Sequence, residues 1–187
     1  MPPKWTIINK EFVADARIFK LYKQHSMHPH TKKETAFSVI ESPDWVNIIA
    51  LTRDEKVVLI RQYRPGIDDI ALEIPGGMLD KADKDPVAAA IRELAEETGY
   101  TGEDPQLLGF VHPNPAIQNN KCFFFWMKNC QKTQATNFDA CEEIETELVD
   151  LKEIPELMRT QKISHALVHC AFQYLFLSHN FADVGTS

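Results

Sequence analysis

Apolar and polar residues alternate with a period near two through much of the first half of the chain. WTIINKEFV and ARIFKLYKQ, beginning at Trp5 and Ala16, read as two extended segments joined by a short turn. A polar run from His28 to Glu34 follows, with the composition of a hairpin loop. AFSVIE, VNIIALT and KVVLIRQY are β-rich runs, and Arg53-Asp54-Glu55 forms a polar turn between the last two. IALEI then leads into Pro75-Gly76-Gly77, a chain-reversal signal.

Beyond the glycines the period lengthens to 3.6. Asp85 is a good N-cap, Pro86 occupies the favoured first helical position, and Gly99 is a good stop. Val87, Ile91, Leu94 and Thr98 form a mostly apolar stripe expected to pack on a sheet. LLGFVH, KCFFFWM and EIETELV predict three more strands. A short helix is expected at Pro155 to Thr160 and a longer one from Ala166 to Ser178. No regular βαβ repeat is present, which predicts an α/β domain with a mixed sheet between helices.

A length of 187 residues suits one domain, or one domain with a short arm. The chain is acidic, with 27 Asp and Glu against 20 Lys and Arg and a net charge of −7. That balance argues against a general nucleic-acid surface, which needs an excess of basic groups. It leaves room for a small anion whose charge a bound cation offsets. Cys122, Cys130, Cys141 and Cys170 show no CxxC pairing and read as thiols of a reducing compartment. The start has no apolar signal segment, and the run from Cys122 to Met127 is too short to span a bilayer, so a cytoplasmic location is the expectation.

The chemistry is concentrated on the Asp85–Gly99 segment. Glu93, Glu96 and Glu97 stand at i, i+3 and i+4, and at about 100° per residue they crowd onto one helix face, roughly opposite the apolar stripe. Alone, such a cluster reads most simply as a solvated acidic face. Carboxylates so close repel one another unless a cation sits among them, and their oxygens suit hard ions such as Mg²⁺ or Mn²⁺.

The surroundings of the cluster change that reading. Gly77-x5-Asp83-x8-Arg92-Glu93-Leu94-x-Glu96-Glu97-x-Gly99-Tyr100 resembles the box of the Nudix hydrolases. RELAEETGY matches the second half of that box throughout. In the first half one residue is inserted before the helix, and Asp83 or Lys84 replaces the usual early glutamate. The resemblance implies a Nudix fold with the box at residues 77–100, a domain over 36–187 and an N-terminal β arm over 1–35 that serves dimerisation. It also implies two or three Mg²⁺ ions, with Mn²⁺ as the alternative, held by Glu93 and Glu97 with help from Glu96. Arg92 matches the arginine that orients a box glutamate, and Gly76 matches a backbone metal ligand of ADP-ribose hydrolases.

VVLIRQYRPG followed by ALEIPGGMLD is similar to the ADP-ribose and nucleoside diphosphate sugar subgroup. By that likeness Arg64 grips the diphosphate, Glu73 supports it or touches ribose, and Pro115 lies at the spacing of ADP-ribose hydrolases. Glu142 and Glu143 fall where relatives carry a further metal ligand or a general base. Trp5 and Trp45 are candidates to stack on the base, although tryptophans more often serve core or interface packing. The implied reaction is hydrolysis of a nucleotide sugar to a nucleoside monophosphate and a sugar phosphate, by a homodimer with no nucleic-acid or membrane partner. The alternatives are a hydrolase of other nucleotides and a catalytically idle nucleotide-sugar sensor. His165 and His169, four apart, read as part of an amphipathic core helix, and His28 and His30 as solvated loop residues.

Overall fold

The computed structural model describes residues 1–138 and 143–178. Proximity of Cα atoms divides them into two units: Met1–Asp44 with His112–Lys121, and Trp45–Val111 with the chain from Cys122 onward.

In the first unit β1 (Thr6–Asp15), β2 (Lys20–Met27) and β3 (Glu34–Glu41) form an antiparallel three-stranded sheet in chain order. The β1–β2 turn is held by Asp15, whose carboxylate accepts the Arg17 N–H at 2.8 Å. The polar 28–33 run closes the next hairpin, with the His28 N–H donating to the Lys33 carbonyl at 2.9 Å. The 112–121 segment joins this sheet through a parallel bridge between Ile40 and Gln118.

The second unit is built on a seven-stranded sheet. β4 (Trp45–Thr52), β5 (Lys56–Arg64), β8 (Tyr100–Val111), β9 (Cys122–Lys132) and β10 (Ile144–Asp150) follow the order β10-β5-β4-β9-β8. β6 (Asp69–Glu73) pairs with β5, and β7 (Gly76–Met78) pairs with β4. The β4–β9 pairing is parallel and the others are antiparallel, so the sheet is mixed as expected. Alternation along the central strands sends side chains to two cores. Ile49, Leu51, Phe124 and Trp126 pack with α3 (Ala166–Ser178), whereas Val46, Ile48, Ala50 and Phe125 pack with α1 (Pro86–Thr98). The sheet therefore lies between helices. A short α2 (Ile154–Arg159) precedes α3, and no helix of the described residues is long and apolar enough to cross a membrane.

Helix α1 has the predicted ends. The Asp85 carboxylate accepts the Ala88 N–H at 2.9 Å, and Gly99 closes the helix in the left-handed region at φ 73°, where a side chain would be strained. Its buried face differs from the expected stripe. Ile91 is 39% exposed, while Ala89, Ala90, Leu94, Glu97 and Thr98 are buried. Ala89, Ala90 and Leu94 pack with Val46, Ile48 and Ala50 of β4, which fixes this face inward.

Candidate active site

Several segments of the second unit converge on one cavity of about 570 Å³, among them the start of β4, the β5–β6 ladder, the turn from Ile74 through β7, the C-terminal half of α1 and the start of α3. Trp45, Arg64, Glu73, Gly76, Arg92, Glu93, Glu96 and Glu97 all line it. Eight positions separated by up to 52 places in the chain thus meet at one site. Asn47, Gln62, Asn137 and His165 also line it, and none of these four was marked in the sequence as a site residue.

The ladder supplies one wall. Gln62 and Arg64 are two residues apart on β5 and so project to the same face. The Arg64 guanidinium forks onto the Glu73 carboxylate, with Nε–Oε1 at 2.9 Å and Nη2–Oε2 at 2.8 Å. Glu73 is 1% exposed, so this bidentate pair satisfies a carboxylate that burial would otherwise penalise.

Helix α1 supplies the opposite wall. Glu97, expected on the polar face, is 4% exposed, and its Oε2 accepts the Gly76 N–H at 3.0 Å. Burial of a carboxylate is tolerable here because the turn after β6 aims a backbone donor at it. Arg92 lies among acids: Nη1 is 2.9 Å from Glu96 and 3.0 Å from Glu93. On its other side Nε and Nη2 donate to both oxygens of Asp83 at 3.1 and 2.9 Å. Of Asp83 and Lys84, Asp83 is the one that holds the arginine. The guanidinium keeps the Asp83 carboxyl below its ordinary range, and the acids around Arg92 raise the arginine's pKa in return.

The donor set suits a hard divalent cation. It is made of carboxylate oxygens facing a polar cavity. Among the described residues no three acidic, His or Cys side chains converge into a closed cage. Mg²⁺ does not need one, since it is held by one or two carboxylates together with water and substrate phosphates.

The NUDIX domain profile matches residues 43–169. The chain belongs to the Nudix family. Similar proteins include the methanol dehydrogenase activator of Bacillus methanolicus, 29% identical over 174 residues and 91% of each chain. The ADP-ribose pyrophosphatase of Bacillus subtilis (strain 168) is 26% identical over 171 residues, again 91% of each chain. Among solved structures, an ADP compounds hydrolase covers 98% of both chains with a TM-score of 0.85 at 21% identity, which shows a shared fold.

Trp5 belongs to the first unit, its ring edge-on to His28 at 4.9 Å and to Phe37 at 5.3 Å. Pro115 belongs to the same unit, in an exposed turn where the Asn114 carbonyl accepts the Gln118 N–H at 2.7 Å. Glu143 is exposed just before β10 and does not line the cavity, and Glu142 lies outside the described residues.

The two Nudix glycines have separable duties. A Cβ on Gly77 would collide with the Glu93 carboxylate, its Cδ at 2.6 Å, which is the movable end of a side chain. A Cβ on Gly76 would meet the Val46 carbonyl and Asn47 Cα, both fixed backbone. Gly77→Ala is therefore expected to fold with little change in melting temperature while Glu93 is displaced and turnover falls. Gly76→Ala is expected to lose stability as well. Thermal melting paired with steady-state assays checks the split, and equal melting losses in both variants would contradict it.

Proposed function

We infer that this chain is a divalent-metal-dependent hydrolase that cleaves the pyrophosphate bond of nucleoside diphosphate sugars, with ADP-ribose as the preferred substrate. The observation that carries this reading is the meeting of the Arg64–Glu73 fork and the box carboxylates across one cavity. One wall offers a planar cation suited to a diphosphate, and the other offers hard oxygen donors. The Bacillus subtilis relative, an ADP-ribose pyrophosphatase, supports the substrate class.

Glu93, Glu96 and Glu97 would hold Mg²⁺, or Mn²⁺ in its place, with the Gly76 carbonyl as a further ligand. Such an ion supplies charge neutralisation for the diphosphate and acidifies the attacking water. Arg64 orients the diphosphate, and Glu73 fixes the direction of its guanidinium. Arg92, clamped by Asp83, holds Glu93 and Glu96 in position and limits their mutual repulsion. A carboxylate accepts the proton of the water. The box glutamates stand in the cavity for this role, and Glu142 and Glu143 are the other acids assigned to it. Trp45 lines the cavity and offers a face for the base; Trp5 and Pro115, the other candidates to touch substrate, belong to the first unit.

A homodimer formed through the 1–35 arm fits the exposed apolar side chains of β1, among them Ile7, Phe12 and Val13. Light scattering at twice the mass of the 21.4 kDa chain is the expected result. The reading also fits a cytoplasmic enzyme, since the four cysteines show no pairing pattern in the sequence.

The test is a panel of ADP-ribose, GDP-mannose, UDP-glucose, a dinucleoside polyphosphate and a nucleoside triphosphate, assayed with Mg²⁺ and then with a chelator. The highest kcat/KM is expected for ADP-ribose, with no turnover of any substrate after chelation. Preference for the triphosphate would refute the substrate class, and turnover unaffected by the chelator would refute the metal.

A further inference from the structure

Two polar groups in the cavity have no part in the reaction as described. The side-chain Oε1 of Gln62 is buried and has no hydrogen-bond partner among the described residues. An acceptor left in that state is destabilising, so a donor is expected to meet it when the site is filled. Phosphate oxygens are acceptors at neutral pH and cannot serve. A hydroxyl or an amino group can.

His165 is the second group. It precedes α3, and its Nδ1 accepts the Leu167 N–H at 3.2 Å, in the manner of an N-cap. With Nδ1 used as an acceptor, the neutral ring carries its hydrogen on Nε2 and is a donor. Burial pushes the pKa of His165 down, more strongly than the Glu73 carboxylate pushes it up, which keeps the ring neutral. The cavity thus holds an unsatisfied acceptor and a neutral donor beside the arginine assigned to the diphosphate.

We propose that Gln62 and His165 recognise a sugar hydroxyl of the substrate, Gln62 accepting its hydrogen and His165 donating to its oxygen. This rests on the reading of the cavity as a nucleotide-sugar site. A hydroxyl is the group that needs both an acceptor and a donor. Position favours the sugar over the base. Gln62 lies on one strand face between Arg64 and Ile60, the register partner of Glu73, so the guanidinium that reaches Glu73 extends alongside it, which sets Gln62 against the part of the substrate that adjoins the diphosphate and short of a base beyond it.

The experiment compares wild type with Gln62→Met, His165→Asn and His165→Ala. Substrates are ADP-ribose and inosine diphosphate ribose, whose base lacks the amino group, and inorganic pyrophosphate serves as a competitive inhibitor. Gln62→Met keeps the side-chain volume and removes the acceptor. His165→Asn keeps a side-chain oxygen to cap Leu167 while removing the longer-reaching donor, so its melting temperature is expected to match wild type, unlike that of His165→Ala. For Gln62→Met and His165→Asn, KM is expected to rise about tenfold for both nucleotide sugars, the size of one lost hydrogen bond. The inhibition constant of pyrophosphate should stay within about twofold.

A KM rise confined to the adenine substrate would overturn the proposal in favour of base recognition. Equal weakening of pyrophosphate would overturn it in favour of a general disturbance of the cavity, and unchanged KM values in both variants would overturn it outright. A wild-type protein that turns over neither nucleotide sugar would remove the parent reading, an outcome distinct from a working enzyme that is insensitive to these substitutions.

Discussion

Replacement of Glu97 by Gln is expected to lower kcat for ADP-ribose by about a thousandfold, a loss of ~4 kcal/mol of transition-state stabilisation, while leaving the fold intact. The two halves of this expectation come from different atoms of one side chain. Oε2 of Glu97 accepts the Gly76 N–H at 3.0 Å, and an amide oxygen in the same place can accept it too. Glu97 is 4% exposed, so the neutral amide is easier to bury than the carboxylate it replaces. What Gln cannot supply is the negative charge that, on the proposed reading, draws a divalent ion to the buried end of the acidic row. Turnover under saturating Mg²⁺, read beside thermal melting, decides the matter. An active Glu97→Gln enzyme would remove Glu97 from the metal set, and an unfolded one would show that the charge itself supports the turn at Gly76.

That turn also shows how far the sequence could be read. The ends of α1 were legible because capping is local: the Asp85 carboxylate and the left-handed Gly99 each act within one turn of the helix. The inner face was not legible, because Glu97 is buried through a donor 21 residues away in the chain, which no helical period can reveal. Strand β8 was read only in its second half. It begins at Tyr100, and register shifts between Thr101 and Glu103, between Glu103 and Gln106 and between Leu107 and Gly109 break the alternation that marks a strand. Asp83 could be placed only to within one residue, since the insertion before the helix can be aligned in two ways. Its bidentate clamp on Arg92 is a contact that only the structure shows. His165 was absorbed into an apolar helix pattern, although its position just before Ala166 is that of a cap and caps face outward from the helix core. Arg64 and Glu73 were legible as candidates from their likeness to relatives. Their direct pairing was not, because it depends on the β5–β6 register that sets Arg64 against Asp69 and Ile60 against Glu73.

The pairing makes Arg64→Met the second substitution with a large expected effect, this time on stability as well as on turnover. Removing the guanidinium strands a carboxylate that is 1% exposed, and with the Arg64 side chain itself 39% exposed the loss is that of a buried acceptor left unsatisfied, about 1–3 kcal/mol. Adding Glu73→Gln on top of it removes the stranded charge and is expected to restore most of that stability, so the two changes should be strongly non-additive in a double-mutant cycle. Activity should not return with it, since the guanidinium proposed to orient the diphosphate is gone. Arg64→Lys separates the roles from the other direction. It keeps the charge near Glu73 but loses the planar fork, so melting is expected to change little while KM for ADP-ribose rises. Chemical denaturation of the four proteins, with kcat and KM for each, tests the set. A double variant that regained both stability and turnover would confine Arg64 to a structural role. An Arg64→Met protein as stable as wild type would mean that Glu73 is satisfied by something other than the fork at 2.8 and 2.9 Å.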